Sequence, residues 1–190
     1  MAAGDLRHLR TAWDVDRTVV LEEDRLVLVR FSRHELFAAA ASPPGPGVLL
    51  HSAASPTRSQ RLTTSDYGSY LDVAAMDVAL VSIAPRVRNF CVVYAVNTLE
   101  VPDFDDLYEL GEAYHMDSDD DAGRVDNREP FAIIFFFRGK RLLVDVGSGN
   151  NNKLTRPVED EAVLIGLITQ VYKDAVKGHG LASFNLRSLR

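Results

Sequence analysis

Cysteine is nearly absent from this chain: of 190 residues, only Cys91 carries a thiol. That excludes an intramolecular disulfide, a CxxC redox pair and a zinc site built on cysteines, and it fits a reducing compartment. Long apolar runs are missing too. None exceeds the seven residues of Phe131 to Phe137, whereas a membrane helix needs roughly 18, so no membrane association is expected. The opening Met-Ala-Ala-Gly-Asp-Leu-Arg-His leads into no hydrophobic stretch of the kind a secretory signal uses. The five histidines, His8, His34, His51, His115 and His179, show no metal-ligand spacing with one another or with Cys91. No GxSxG, HExxH or comparable catalytic signature occurs.

What is present describes one globular domain: 46% apolar residues, 25% charged, 8% aromatic and a net charge of -6. A domain of this length buries about 70% of its unfolded surface and folds without a covalent or metal staple. The charge is unevenly placed. Residues 103 to 126 hold ten acids against Arg124 alone, a local balance of -9 that leaves the rest of the chain at +3. Residues 138 to 156 carry Arg138, Lys140, Arg141, Lys153 and Arg156 against Asp145 alone. Such polarity suits an acidic partner on one side only.

Hydrophobic spacing predicts the elements. Trp13, Val15, Val19 and Val20 suggest a short helix, and Leu26 to Phe31, nearly continuous in aliphatics, reads as a strand covered on both faces. Leu36 to Tyr70, with Pro43-Pro44-Gly45-Pro46-Gly47 and no sustained period, reads as an irregular insertion. Val73, Met76, Leu80 and Ile83 then define a helix that Pro85 ends or kinks. Phe90 to Val96 is a second strand, followed by a helix around Phe104 and Leu107 that opens at Pro102-Asp103. Tyr114 to Asn127 is a second, acidic insertion. Phe131 to Phe137 and Leu142 to Val146 form a hairpin, and Leu164, Leu167, Ile168, Val171, Tyr172 and Ala175 mark a closing amphipathic helix stopped by Gly178.

Two strands separated by a helix run parallel, and the hairpin adds antiparallel strands. The expected architecture is therefore α/β of the thioredoxin-like type: a central mixed four-stranded sheet flanked by helices. It forms a single domain of about 141 residues once the inserted loops, about 36–70 and 114–127, are set aside.

Several pieces in order carry a resemblance: Trp13 with Val15-Asp16, Glu22-Glu23-Asp24-Arg25, Val29-Arg30-Phe31, Ser82-Ile83-Ala84, Asn89-Phe90, Val101-Pro102-Asp103-Phe104, Tyr108-Glu109-Leu110, Phe135-Phe136-Phe137-Arg138, Gly147 to Lys153 and Lys177-Gly178-His179-Gly180-Leu181. Together they resemble the thioredoxin-like Dim-one (Dib-one) spliceosomal proteins, small components of the U-five small nuclear ribonucleoprotein (snRNP) and the tri-snRNP. The resemblance spans nearly the whole chain outside the insertions and the two ends. It implies a noncatalytic nuclear protein acting in pre-mRNA splicing, a monomer outside its complex, held by large U-five and tri-snRNP proteins with peripheral RNA contact. The two cysteines common in the family fall at about Val73 and Phe131, and both are replaced. Two other readings remain open: a degenerate thioredoxin-like oxidoreductase using the single cysteine, and a peptide-binding adaptor outside the spliceosome.

No catalytic, cofactor-binding or metal residue is expected. Thiol-disulfide exchange needs an accessible thiolate with a resolving partner, whereas Cys91 sits between Phe90 and Val92 in a strand. Gly147-Ser-Gly-Asn-Asn-Asn-Lys153 lacks the Lys-Ser/Thr pair of a P-loop and reads as a turn that also offers many donors and acceptors. No register of the acidic loop satisfies a calcium-binding EF-hand. The expected partner-binding face comprises Arg138, Lys140, Arg141, Asn150, Asn151, Asn152 and Lys153, with Phe137 and Tyr172 as aromatic anchors. Pro130, just before a strand, occupies the place of the fold's structural cis-proline.

Overall fold

In a computed structural model of the chain, residues 6–32, 64–108, 110 and 131–186 are described. In chain order the elements are β1 (Arg7–Leu9), α1 (Ala12–Leu21), β2 (Leu26–Ser32), α2 (Thr64–Val87), β3 (Cys91–Asn97), α3 (Asp103–Tyr108), β4 (Phe131–Phe137), β5 (Lys140–Asp145), α4 (Glu161–Val176) and β6 (Leu181–Ser183). The strands form one sheet in the order β1-β3-β2-β4-β5-β6.

At its centre lies the expected mixed set. β2 and β3 are parallel, with Leu26 opposite Cys91 and Ser32 opposite Asn97. β4 runs antiparallel to β2, and β5 antiparallel to β4. This is the thioredoxin-like arrangement. Beyond the four expected strands, β1 adds parallel to β3 at one edge and β6 parallel to β5 at the other. At three residues each, these edge strands are too short for alternating hydrophobicity to register.

Helices cover both faces. Alternation along β2 sends Leu26 and Leu28 to the layer of α2 and α4, where Met76, Leu80, Ile83, Leu164, Leu167 and Val171 pack. Val27, Val29 and Phe31 face the layer of α1 and α3, with Val15, Val19 and Phe104. Every residue of β2 and β4 is consequently buried. Burying each Phe or Ile side chain of β4 contributes about 2–3 kcal/mol, which makes this strand pair the centre of the core.

The helix ends follow from their capping residues. The Thr11 hydroxyl accepts from the Asp14 N–H at 3.0 Å, and the Asp160 carboxylate accepts from the N–H groups of Ala162 and Val163. At the other end of α4, Gly178 has φ +86° while its N–H bonds Ala175 O and the His179 N–H bonds Asp174 O. That is the Schellman pattern, which needs a residue free to adopt positive φ.

Several boundaries differ from the expectation: β5 runs Lys140–Asp145 rather than Leu142 to Val146, β3 is shifted by one residue, and α2 differs at both ends. α2 begins at Thr64, so 64–70 is helical rather than part of the first insertion; its Thr-Ser-Asp start lacks apolar spacing, but extending a formed helix costs far less than nucleating one. Pro85 lies inside α2, which continues two residues further to Val87, because a proline in the last turn removes few of the helix's hydrogen bonds. The remainder of the first insertion, 36–63, the second insertion, 114–127, and Pro130 lie outside the described residues, as do His34, His51 and His115.

Candidate partner interface

The hairpin of β4 and β5 turns through Arg138 and Gly139, with φ of +51° and +74° and Phe137 paired to Lys140. Two consecutive positive φ values match a type I′ turn, for which Asn-Gly is the favoured pair. An arginine at the first position is conformationally costly. Its side chain lies over the Phe137 ring at 5.0 Å from the centroid, and its Nε donates to the Glu23 carbonyl at 3.2 Å. The turn is thereby tied to the loop between α1 and β2.

The Asn-rich segment is built into the sheet rather than hanging from it. β4 and β5 pair only as far as Phe135 opposite Leu142. Further along, Ile133 exchanges two backbone bonds with Leu154, at 2.8 and 3.0 Å, and the Val144 N–H donates to Asn151 O at 2.8 Å. Residues 151–154 thus lie between the diverging ends of the two strands. Glycines at 147 and 149, both at positive φ, make the reversal, and Asn150 Oδ1 accepts from the Asn152 N–H at 2.9 Å in a side-chain turn.

The expected face divides into two groups. On the α3 side, Arg141 donates to Asn152 Oδ1 at 2.7 Å, and its guanidinium lies 5.8 Å from the Tyr108 centroid. Lys153 is only 8% exposed and donates to Tyr108 O at 2.6 Å, so its charge is directed to the end of α3 rather than outward. Around the hairpin tip, Phe137 is 6% exposed and belongs to the core. Tyr172 is half-buried, its ring 6.0 Å from Phe137 and 5.6 Å from Phe90, and its hydroxyl donates to Asp24 O at 3.4 Å. Arg138, Lys140, Arg141 and Asn152 are exposed, and Asn150 and Asn151 partly so. The outward surface is therefore cationic and amide-rich, with Phe137 and Lys153 supporting it from beneath.

Two features escape the sequence reading. Tyr108 joins the groups above: its ring packs 4.9 Å from Phe31 and stacks on Phe104, and burial pushes its phenol up despite the opposing Arg141 charge. Arg30, 1% exposed, donates to Asp77 Oδ2 at 2.7 Å and to the Ser32 hydroxyl, linking β2 to α2. Its only trace in the sequence is a charge interrupting an aliphatic strand.

Thiol chemistry has no foothold. Cys91 is buried in the core cluster of α2 and α4, and burial raises its thiol far above the ordinary range. Val73 and Phe131, where the family's cysteines would fall, are buried in that same cluster. Among the described residues, no group of three or more His, Cys, Asp or Glu side chains is placed to hold a metal ion, and no helix is long and apolar enough to cross a membrane.

Known proteins resemble this chain over most of its length. A family model described as mitosis protein DIM1 matches residues 120–187, the stretch holding the hairpin and the Asn-rich segment. The spliceosomal protein DIB1 of Saccharomyces cerevisiae is 32% identical over 181 residues, covering 95% of this chain and 91% of that protein. The mitosis protein dim1 of Schizosaccharomyces pombe is 30% identical over 176 residues, 93% and 88% of the two chains. A thioredoxin-like protein 4A homolog of Dictyostelium discoideum is 38% identical over 107 residues, 56% of each.

Proposed function

This chain belongs to the Dim1/Dib1 family, and from that premise we propose that it is a noncatalytic component of the U-five snRNP and tri-snRNP, acting in pre-mRNA splicing as a protein-binding assembly factor. The observation that carries the proposal is full-length similarity to proteins named as spliceosomal, over more than nine-tenths of both chains in the Saccharomyces comparison. The buried state of the one thiol agrees with it, since an oxidoreductase reading requires a thiolate that substrate can reach. The site of action is the nucleus.

Within this reading, Arg138, Lys140, Arg141 and Asn150 to Asn152 form the contact surface for a large partner protein, with Phe137, Tyr172 and Lys153 holding it in shape. Their exposed guanidinium, ammonium and amide groups present donors to carboxylates or backbone carbonyls. RNA contact is peripheral and salt-sensitive. The test is affinity purification of the tagged chain and of an Arg138→Glu/Lys140→Glu/Arg141→Glu variant. Loss of co-purifying tri-snRNP proteins in the variant is expected, and unchanged recovery would place the contact elsewhere.

A further inference from the structure

The sheet edge farthest from the hairpin carries a second surface. β1 is the terminal strand there, and β1, α1 and Tyr94 of β3 border a groove of about 490 Å³ lined in part by Arg7, Arg10, Asp14, Arg17 and Leu21. Arg7 lies over the Tyr94 ring at 5.7 Å. Arg10 and Arg17 make no ion pair among the described residues. Of the two carboxylates in the lining, Glu22 is held by Arg25 at 2.5 Å, which leaves Asp14 alone against three arginines.

An exposed apolar stripe adjoins this charge. Trp13, Val20 and Leu21 are 70%, 62% and 67% exposed, and with Arg17 they fall at helical spacing on the outer side of α1. Tryptophan and arginine side by side on a surface are the residue types that most often dominate binding energy. A phosphate backbone would meet Asp14 and make no use of Val20 and Leu21, and Tyr94 is already covered by Arg7 rather than open for base stacking. Charge and apolar surface together match a polypeptide.

We infer that the β1–α1 groove is a second docking surface, and that its occupant is an acidic segment of a partner protein that sets a large apolar side chain beside its carboxylates. Four strand spacings separate β1 from β5, about 19 Å across the sheet. The groove is thus well separated from the hairpin surface, and it binds independently of whether that surface does as proposed.

Trp13, the single tryptophan of the chain, reports occupancy directly. Short random peptides displayed on phage are selected against the full chain, and the enriched sequences are synthesised and titrated while Trp13 emission is followed. Expected are acidic peptides with at least one large apolar residue, each moving the emission to the blue. Their affinity falls about tenfold or more in Arg7→Glu/Arg10→Glu/Arg17→Glu, given the modest worth of each exposed pair, and stays unchanged in Arg138→Glu/Lys140→Glu/Arg141→Glu. The double variant Arg10→Glu/Arg17→Glu, which spares the Arg7–Tyr94 stack, serves if the triple one melts early by circular dichroism. Neutral or basic selected peptides, binding that leaves Trp13 emission unmoved or survives the arginine changes, or an oligouridylate that acts in place of acidic peptides would each overturn the inference.

Discussion

Burial keeps the Cys91 thiol protonated where an exposed thiol would ionise, and two outcomes follow at the residue scale. A soluble disulfide reagent at mildly alkaline pH reacts with the unfolded chain and not with the folded one. Because the folded thiol titrates above its unfolded value, folding stability is intact below about pH 8.5 and declines as the unfolded thiol begins to ionise. Melting temperatures followed upward in pH show this decline in the wild type and lack that component in Cys91→Ala. Arg30 supplies a second test. Asp77→Ala removes the carboxylate and leaves a guanidinium in the core, costing about 3 kcal/mol, whereas Arg30→Met, which removes the charge, costs markedly less by urea denaturation. Equal losses would show that packing, not charge compensation, sets the cost. Cys91 was legible from its flanking Phe90 and Val92, but the partner of Arg30 was not. Asp77 lies 47 residues away in a different element, and no local pattern pairs them.

At the scale of elements, the central strands and the closing helix could be read in advance because their burial is two-sided or strictly periodic: β2 and β4 as continuous apolar runs, α4 as a 3.6-residue stripe. The edges could not. β1 and β6 exist because a neighbouring strand offers hydrogen bonds, a condition that lies outside their own three residues. The proposed contact surface was likewise legible only in part. The spacing of basic and Asn residues marks the candidate face, but the inward turn of Phe137 and Lys153 depends on strand alternation and on the position of Tyr108, which only the fold supplies. The hairpin offers a direct trade. Arg138→Asn places the favoured residue in the type I′ turn and stabilises the protein by about 0.5–1 kcal/mol, read as a rise in melting temperature of roughly 1–4 °C, while weakening partner capture. Gly178→Ala acts in the opposite sense, costing about 1 kcal/mol by forcing a Cβ onto a left-handed backbone.

For the whole molecule, a thioredoxin-like sheet holds its one thiol in the core and leaves Arg138, Lys140 and Arg141 exposed. The net acidic chain presents a basic turn between β4 and β5 and an arginine-lined groove at the β1 edge. A noncatalytic family member of this kind works by being bound within the U-five particle. The most direct measurement is the recovery of U-five RNA with the tagged full chain, comparing wild type with Cys91→Ser. Strong and equal recovery is expected in both. Absence of U-five RNA from the wild-type complex, or recovery that depends on Cys91, would contradict it.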